Sequence, residues 1–276
     1  MRDATQVESS VILEYDARVR RRRLSQITLG LGFPLLLLLM WEFAARFALI
    51  DYRFFPAPST VVTTMAHLLS TASERNQLLV DTWATFRRLA LGYVIGSTLG
   101  IGIGMAMGLS ARVRYALGPL INITYPTPKL ALFPLLIVLL GLDDASKVAL
   151  VLLGVFYTTC ISTLNGIVYS HPLHRDVAKA YQIPEVAFWF RVAIPAALPS
   201  VVNGLKLGLG QALILVVAVE MVGAEQGIGF FIWHSWEIFD VSRMFLGILV
   251  ALMLGGGAMM FGQFLERKLT PWVRYE

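Results

Sequence analysis

Apolar residues in this chain fall into six long runs, and short polar segments separate the runs. The runs are Ile27–Ile50, Leu89–Leu109, Leu117–Leu142, Lys147–Tyr169, Ala196–Val222 and Met244–Leu265. A helix needs about 20 mainly apolar residues to cross roughly 30 Å of hydrocarbon. Each run meets that length, although Pro126 and Pro128 interrupt the third. The pattern predicts an all-α membrane protein with about six transmembrane helices.

The composition indicates that lipid is the solvent of this chain. Of its 276 residues, 57% are hydrophobic and 15% are charged, whereas about 25% charged residues are typical of soluble domains. The first run is too long for a cleaved signal sequence, so we expect it to be retained. The net charge of +5 does not indicate nucleic-acid binding, because the basic residues flank apolar runs and do not alternate with aromatic residues.

Lysine and arginine residues set the predicted orientation, since positive charge accumulates in short cytoplasmic loops. With the N-terminus inside, fourteen of them are cytoplasmic: Arg2, Arg18, Arg20, Arg21, Arg22, Arg23, Arg112, Arg114, Arg175, Lys179, Arg191, Arg267, Lys268 and Arg274. Six are external: Arg53, Arg75, Arg87, Arg88, Lys147 and Arg243. Both termini are therefore predicted to be cytoplasmic. We expect an N-terminal segment 1–26, a single transmembrane domain 27–266 and a C-terminal tail 267–276.

Two local features flank the first external segment, residues 51–88. Glu42 and Arg46 lie one helical turn apart at the end of the first run, so we expect them to neutralise each other. After a proline-rich stretch, helical spacing of apolar residues predicts a short interfacial helix with Ser59 as its N-cap. The single cysteine, Cys160, lies inside the fourth run and excludes a disulfide within one chain.

Glycine recurs every fourth residue along the second run. The five positions are Gly92, Gly96, Gly100, Gly104 and Gly108. They form a smooth ridge on one helix face, where another helix packs closely even though lipid supplies no hydrophobic drive for association. The partner helix lies either in the same chain or in a second copy. A shorter ridge at Gly204 and Gly208 would serve the fifth run similarly.

The polar segment 171–193, between the fourth and fifth runs, has the pattern of two short helices. Asp176–Tyr181 favours the first, Pro184 ends or restarts a helix, and Glu185–Val192 favours the second. Two short helices that meet at a bend form a projection suited to a groove on a soluble partner. The alternative is a plain loop in the headgroup region.

This segment resembles the cytoplasmic signature of ABC importer permeases, which is Glu-Ala-Ala, three residues, Gly, and about a dozen residues before Leu-Pro. Asp176-Val177-Ala178 matches the start of the signature, Gln182 replaces its glycine, and thirteen residues lead from Gln182 to Pro195. The resemblance extends along the chain to landmarks of the nitrate, sulfonate, taurine and bicarbonate branch: Phe55–Ser59, Thr85, Arg88, Gly92, Tyr93, Tyr125–Pro128, Glu220, Gly223, Gly227 and Gly229.

The resemblance implies a type I ABC importer permease fold in the cell inner membrane. Two copies of the chain would form one pathway beneath a periplasmic or lipoprotein substrate-binding protein. Two cytoplasmic ATPase subunits would bind ATP and Mg, so no cofactor, metal site or catalytic residue is expected in this chain. The residues implied to couple to the ATPase are Asp176, Ala178, Lys179, Tyr181, Gln182, Ile183, Pro184 and Glu185.

Polar residues inside the runs indicate where a solute would pass, because ionisable groups at membrane depth face a cavity or a partner. The proline break in the third run also frees backbone carbonyls that need protein or water around them. The pathway or gate candidates are Asn122, Tyr125, Thr127, Lys129, Gln211 and Glu220. Lys129 suits an anionic solute, whereas Glu220 either gates the pathway or holds an external loop. Lys206 is expected to extend towards the cytoplasmic interface.

Three alternatives stay open at this stage. The solute is a small anion (a sulfonate, taurine, nitrate or bicarbonate) or, alternatively, a heterocyclic vitamin precursor. An ion-coupled secondary transporter would need inverted repeats and intramembrane carboxylates for ions, and neither is evident in the sequence. A membrane scaffold would leave the segment 176–199 without a role.

Overall fold

The computed structural model describes residues 28–30, 32–169, 176–178 and 180–273, and the regular structure in these ranges is helical. The chain forms two compact units, residues 1–66 and 67–276. The helices are α1 (Thr28–Arg46), α2 (Pro58–Ser70), α3 (Ala72–Leu109), α4 (Ala111–Thr124), α5 (Phe133–Leu140), α6 (Asp144–Val168), α7 (Glu185–Gly223), α8 (Ile228–Glu237) and α9 (Val241–Leu269). The predicted segment 1–26 and the end of the predicted tail, 274–276, lie outside the described residues.

Five of these helices are long and apolar enough to cross a membrane, namely α1, α3, α6, α7 and α9. A sixth apolar segment is divided into α4 and residues 129–140, which meet at 94°. The prediction of an all-α membrane protein with about six spans is therefore confirmed. Its third span is not a single straight helix.

The break in the third span follows from its prolines. Residues 125–128 leave the helix after Thr124, and a short 3-10 helix, Lys129–Leu132, leads into α5. Pro126 and Pro128 lack the backbone N–H that would continue a helix. The chain therefore turns sharply at the place where the sequence analysis located a proline break.

Two spanning helices begin well before the apolar runs that predicted them. α3 starts at Ala72 instead of Leu89, and α7 starts at Glu185 instead of Ala196. The segments that precede the two runs are helical as well, and at Trp189–Ala193 of α7 the backbone bonding changes to a π-helical turn. Hydropathy marks the lipid-facing part of such a helix, and the helix itself extends into the polar region on one side.

α8 was not predicted from the sequence. Gly223, Gly227 and Gly229 suggested a loop, yet Ile228–Glu237 form a ten-residue helix that begins directly after Gly227 and includes Gly229. Gly227 has a backbone φ of +128°, a conformation that favours glycine and ends the preceding loop. The glycines therefore mark only the start of this element.

The first unit contains a correction to the predicted cap of α2. The helix begins at Pro58, so Ser59 lies inside its first turn and is not the N-cap. The Ser59 hydroxyl and amide instead donate to the Glu42 carboxylate, at 2.7 and 2.9 Å. Arg46 Nε also lies 2.5 Å from Glu42 Oε1, as the spacing of these two residues predicted. Glu42 therefore caps α2 from α1.

In the second unit, the glycine ridge of α3 packs directly on α6. A Cβ atom added at Gly96 would lie 2.7 Å from the Leu152 carbonyl oxygen, and one added at Gly100 would lie 2.8 Å from that of Phe156. Such distances are shorter than real Cβ contacts, so only glycine permits this approach. The intramolecular alternative for the ridge is confirmed.

α7 also packs on α6 through small residues. A Cβ at Gly204 of α7 would lie 2.5 Å from the Cβ of Ser162, and a Cβ at Gly208 would lie 3.2 Å from Val155. Thr159 of α6, which is fully buried, lies close to both Gly100 and Gly208. α6 is thus the helix on which α3 and α7 both pack, through backbone approach and dispersion contacts.

Gly104 and Gly102 give a matched test of this packing. A Cβ at Gly104 would lie 2.6 Å from the Cys160 carbonyl oxygen, whereas a Cβ at Gly102 meets nothing within 4 Å. We expect Gly104→Ala to destabilise the fold by about 1–3 kcal/mol through overpacking. Gly102→Ala should be about 0.5–1 kcal/mol more stable than wild type, because alanine favours helix. Unfolding of the purified proteins in mixed micelles measures both changes, and equal effects at the two sites would contradict the packing.

Candidate functional site

The segment predicted to be cytoplasmic, of which the structure describes residues 176–178 and 180–193, forms a bend that we call the knuckle. Residues 176–178 are helical, and this helix ends in a Schellman-type bond from the Ile183 amide to the Ala178 carbonyl, at 2.9 Å. Gln182 supplies the left-handed residue of that ending, with φ of +49°. Pro184 then precedes the first turn of α7. Lys179 was predicted to belong to this site and lies outside the described residues.

The left-handed backbone at residue 182 explains why the family signature has glycine at this position, where the present chain has Gln182. A side chain in this conformation costs roughly 1–2 kcal/mol relative to right-handed backbone, and glycine avoids the cost. The chain therefore keeps the bend of the knuckle with a strained residue at the position where the signature has glycine.

The knuckle has one buried and one exposed apolar side. Ala178, Phe188 and Ala193 are buried and form a small core with Trp189 and Val192. The large apolar side chains on the other side are largely exposed: Tyr181 at 78%, Val186 at 69% and Phe190 at 68%. Apolar residues exposed on a polar projection are typical of a surface that a partner protein covers.

A π-helical turn, Trp189–Ala193, joins the knuckle to the rest of α7. In this turn the Ile194 amide donates to the Trp189 carbonyl, five residues earlier. Pro195 follows and has no N–H to donate to the preceding turn, which favours such an irregular helix. The knuckle is therefore continuous with the spanning helix and not connected to it by a loop.

A cavity of about 460 Å³ lies behind the knuckle, between it and the membrane helices. Asp176, Glu185, Phe188 and Trp189 line it from the knuckle. The opposite wall comes from the junction of α3 with α4 and from the end of α6: Gly108, Leu109, Ala111, Arg114, Ile167 and Val168. The cavity thus separates the knuckle from these ends of the spanning helices.

The break in the third span brings Lys129 together with two tyrosines. The Lys129 ammonium lies 4.9 Å from the ring centroid of Tyr125 and 5.2 Å from that of Tyr157. It also donates to the Tyr125 carbonyl, one of those that the proline break frees from helical bonding. Tyr157 lies on α6 and was not predicted, because no sequence pattern links it to Lys129.

The other predicted pathway residues are more dispersed. Asn122 is exposed on α4, and Thr127 lies half-buried in the break. Gln211, half-buried on α7, packs beside Gly154 of α6. The structure therefore groups Tyr125, Thr127 and Lys129 at the break, while Gln211 lies on a different helix.

Glu220 lies away from the break, in a buried ionic cluster at the end of α7. Its carboxylate is fully buried and accepts a hydrogen bond from Arg88 Nη1 at 2.7 Å. Arg88 is 5% exposed, and its Nε donates to Asp144 Oδ1 at 2.7 Å. Arg88 Nη1 also donates to the Gln226 carbonyl, at 2.7 Å. One guanidinium thus joins α3, α6, α7 and the loop before α8.

The same cluster caps the start of α8. The amides of Gly227, Ile228 and Gly229 donate to Asp81, Thr85 and Glu220, respectively, at 2.8, 2.8 and 3.0 Å. These three N–H groups at a helix N-terminus have no partner inside the helix, and carboxylates also interact favourably with the positive end of its dipole. We call the cluster of Asp81, Thr85, Arg88, Asp144 and Glu220 the latch, because it holds the 224–229 segment.

Two observations on the latch bear on the sequence predictions. Two roles were predicted for Glu220, and the structure supports the one in which it holds a loop. The gating role stays a prediction. Thr85 and Arg88 were noticed only as landmarks of the resemblance, while Asp81 and Asp144 carried no signal. Lys206, expected to extend towards the interface, instead pairs with Glu266 of α9 at 2.7 Å.

Comparison with known families and proteins agrees with this arrangement. Residues 96–273 match the family described as "Binding-protein-dependent transport system inner membrane component". The taurine transport system permease protein TauC of Escherichia coli (strain K12) is 31% identical over 251 residues, which cover 90% of each chain. The nitrate import permease protein NrtB of Synechocystis sp. is 26% identical over 192 residues, covering 70% of each chain.

A solved structure shows the same fold. An inward-facing form of the MetNI methionine ABC transporter matches with a TM-score of 0.63 and 17% identity, covering 72% of this chain and 99% of that chain. Identity at this level supports the type I importer permease fold alone, as the sequence analysis expected.

The latch predicts a large loss of stability when one partner of the buried ion pair is removed. Glu220→Ala leaves Arg88 with a buried, partly unpaired charge, so we expect a loss of about 3–5 kcal/mol. The neighbouring Glu225 is exposed, and Glu225→Ala should change stability by less than about 0.5 kcal/mol. Thermal unfolding measures both. The double substitution Arg88→Met with Glu220→Leu should be less destabilising than the sum of the two single substitutions. A loss equal to that sum would contradict the pairing.

The strained residue of the knuckle predicts a local gain. Gln182→Gly should relieve the left-handed strain and slow hydrogen exchange at the Tyr181 and Ile183 amides about fivefold, equivalent to about 1 kcal/mol. Gln182→Ala keeps a Cβ and should leave exchange near the wild-type rate. Exchange in the purified protein, read by mass spectrometry, separates the two variants; equal rates in both would show that the backbone there is unstrained.

Proposed function

The chain belongs to the family of binding-protein-dependent transport system inner membrane components, and we propose that it forms the pathway of an ATP-driven importer for a small anion. A multi-pass inner-membrane permease is what this family and the spanning helices describe. The observation that carries the proposal furthest is the knuckle, with its exposed apolar side continuous with α7.

The knuckle is proposed as the docking point of a cytoplasmic ATPase subunit. Tyr181, Val186 and Phe190 present apolar area, and Asp176 and Glu185 lie beside the cavity behind them. A short helical projection of this kind suits a groove on a soluble protein. ATP and Mg would be bound by that subunit, and this chain would carry out no bond chemistry.

Two copies of this chain, two ATPase subunits and an extracytoplasmic substrate-binding protein make up the proposed assembly. Closure of the ATPase pair would move the knuckle, and α7 would carry that movement towards the latch. Transport would then follow alternating access, in which ATP binding and hydrolysis shift the population between inward-open and outward-open states.

A small anion is the proposed solute class. Taurine, which carries a sulfonate, and nitrate are the solutes in the names of the two similar permeases. Lys129 at the break offers positive charge in a region that is otherwise apolar and aromatic. The candidates Asn122, Tyr125, Thr127, Gln211 and Glu220 stay proposals for the lining or gating of the pathway.

The docking proposal is tested by capture of the ATPase subunit on the affinity-tagged permease. We expect Tyr181→Asp and Val186→Asp each to reduce capture about tenfold or more, because a charge in the centre of an apolar contact costs about 1.4 kcal/mol or more. Quantitative blotting of the captured subunit gives the ratio to wild type.

Tyr169 provides the matched control. It is 79% exposed at the end of α6 that leads to the knuckle, so Tyr169→Asp introduces the same charge on the same predicted side of the membrane. Capture should stay near the wild-type level. Equal loss in all three variants would indicate a general effect of negative charge, and retention in all three would refute docking at the knuckle.

A further inference from the structure

Lys129 differs from Arg88, Arg87 and Lys206 in how its charge is balanced. Arg88 pairs with Glu220 and Asp144, Arg87 with Asp144, and Lys206 with Glu266. Among the residues that the structure describes, no carboxylate lies within ion-pair distance of Lys129. Its contacts are a backbone carbonyl and two aromatic faces.

Lys147 also has no carboxylate within ion-pair distance among the described residues, but its environment is different. It is 3% exposed, and its ammonium donates to the Leu142 and Asp143 carbonyls at 2.5 and 3.2 Å. That ammonium holds the turn between α5 and α6 and lies beside Asp143 and Asp144 at the wall of a cavity of about 450 Å³. Lys129 is only half-buried, and the Tyr125 ring beside it is 44% exposed.

The aromatic contacts of Lys129 orient the ammonium without neutralising it. A cation over a tyrosine face within about 6 Å is attracted by the ring quadrupole, but the site keeps its net positive charge. The Tyr125 and Tyr157 rings lie 6.2 Å apart with 59° between their planes, so they flank the ammonium from two elements. A half-buried cation without a counter-charge strongly favours an anion that reaches it.

We propose that Lys129, flanked by Tyr125 and Tyr157, is a binding site for the anionic group of the transported solute at the break of the third span. The site takes a small oxyanion, with Lys129 as the charged contact and the two tyrosines as positioning residues. This inference rests on the proposed importer function and adds to it the residues that select for charge.

The position of the site supports a role in the passage of the solute across the membrane. α4 contains 14 residues, or about 21 Å of helix, so a break that follows an α4 starting at the membrane surface lies inside the roughly 30 Å hydrocarbon layer. Irregular backbone at such a depth is tolerated where it is buried in protein or lines a water-filled cavity. Tyr125 is 44% exposed, so the ammonium beside it is open to approach from that side.

Protection of Lys129 from an amine-reactive label tests the proposal. The full-length protein in nanodiscs is labelled with nitrate, ethanesulfonate or gluconate present at equal ionic strength, and labelling at each lysine is measured by mass spectrometry. Nitrate and ethanesulfonate should slow labelling of Lys129 about tenfold at ten times their dissociation constants. Gluconate, which is bulky, should protect little. Lys206 is the internal control and should label equally in all three salts.

Variants separate the role of the charge from that of the rings. The midpoint of thermal unfolding should rise with nitrate relative to gluconate in wild type, in Lys129→Arg and in Lys206→Met, and this rise should vanish in Lys129→Met. Tyr157→Phe keeps the ring and should keep the protection of Lys129, whereas Tyr157→Leu should reduce it.

Several results would overturn the proposal. One is that Lys129 does not react with the label in any of the salts. Another is that nitrate and gluconate protect Lys129 equally from labelling. The third is that nitrate still raises the midpoint of thermal unfolding in Lys129→Met. None of these results affects capture of the ATPase at the knuckle, which is far along the sequence from Lys129. Loss of the anion site with capture intact would therefore refute this inference alone, and loss of capture would refute the importer function itself.

Discussion

Close contact between helix backbones is the constraint on which the rest of this protein depends. Lipid surrounds apolar side chains as well as other helices do, so α3, α6 and α7 associate only because small residues allow them to approach. Gly96 and Gly100 fit against carbonyl groups of α6, and Gly204 fits against Ser162. The chain has little freedom to substitute these positions.

α6 contributes residues to three of the sites described above. Asp144 at its first turn belongs to the latch, Tyr157 near its middle contacts Lys129, and Ile167 near its end lines the cavity behind the knuckle. The packing that places α3 and α7 on α6 therefore also fixes the distances between these three places. Where a helix begins, side chains of other helices replace the missing backbone partners, as Asp81, Thr85 and Glu220 do for α8.

The parts of the fold that the sequence predicted are those with a repeating local signal. The apolar runs and the four-residue period of glycine identified the spans and the helix face that packs on α6. The angle at Pro126 and Pro128 had no such signal, because prolines indicate a break and not its direction. α8 was missed because the pattern of glycines before it is the same for a loop and for a capped helix.

Sites were predictable only where one segment contains them. The knuckle is nearly contiguous in sequence, so its residues were named together, and Gln182 was noticed as a departure whose left-handed backbone only the structure reveals. The latch and the surroundings of Lys129 each join residues far apart along the chain. Asp81, Asp144 and Tyr157 have ordinary sequence contexts, and tertiary packing alone gives them their partners.

The continuity of α7 has a mechanical consequence. Its 39 residues correspond to about 58 Å of helix, beginning in the knuckle at Glu185 and ending beside the latch at Gly223. A rotation applied by a cytoplasmic partner would therefore reach the far side of the membrane through one stiff element. The π-helical turn at Trp189–Ala193 interrupts the α-helical bonding of that element. Its stiffness under torsion would therefore set how much of a rotation applied at Glu185 reaches Gly223.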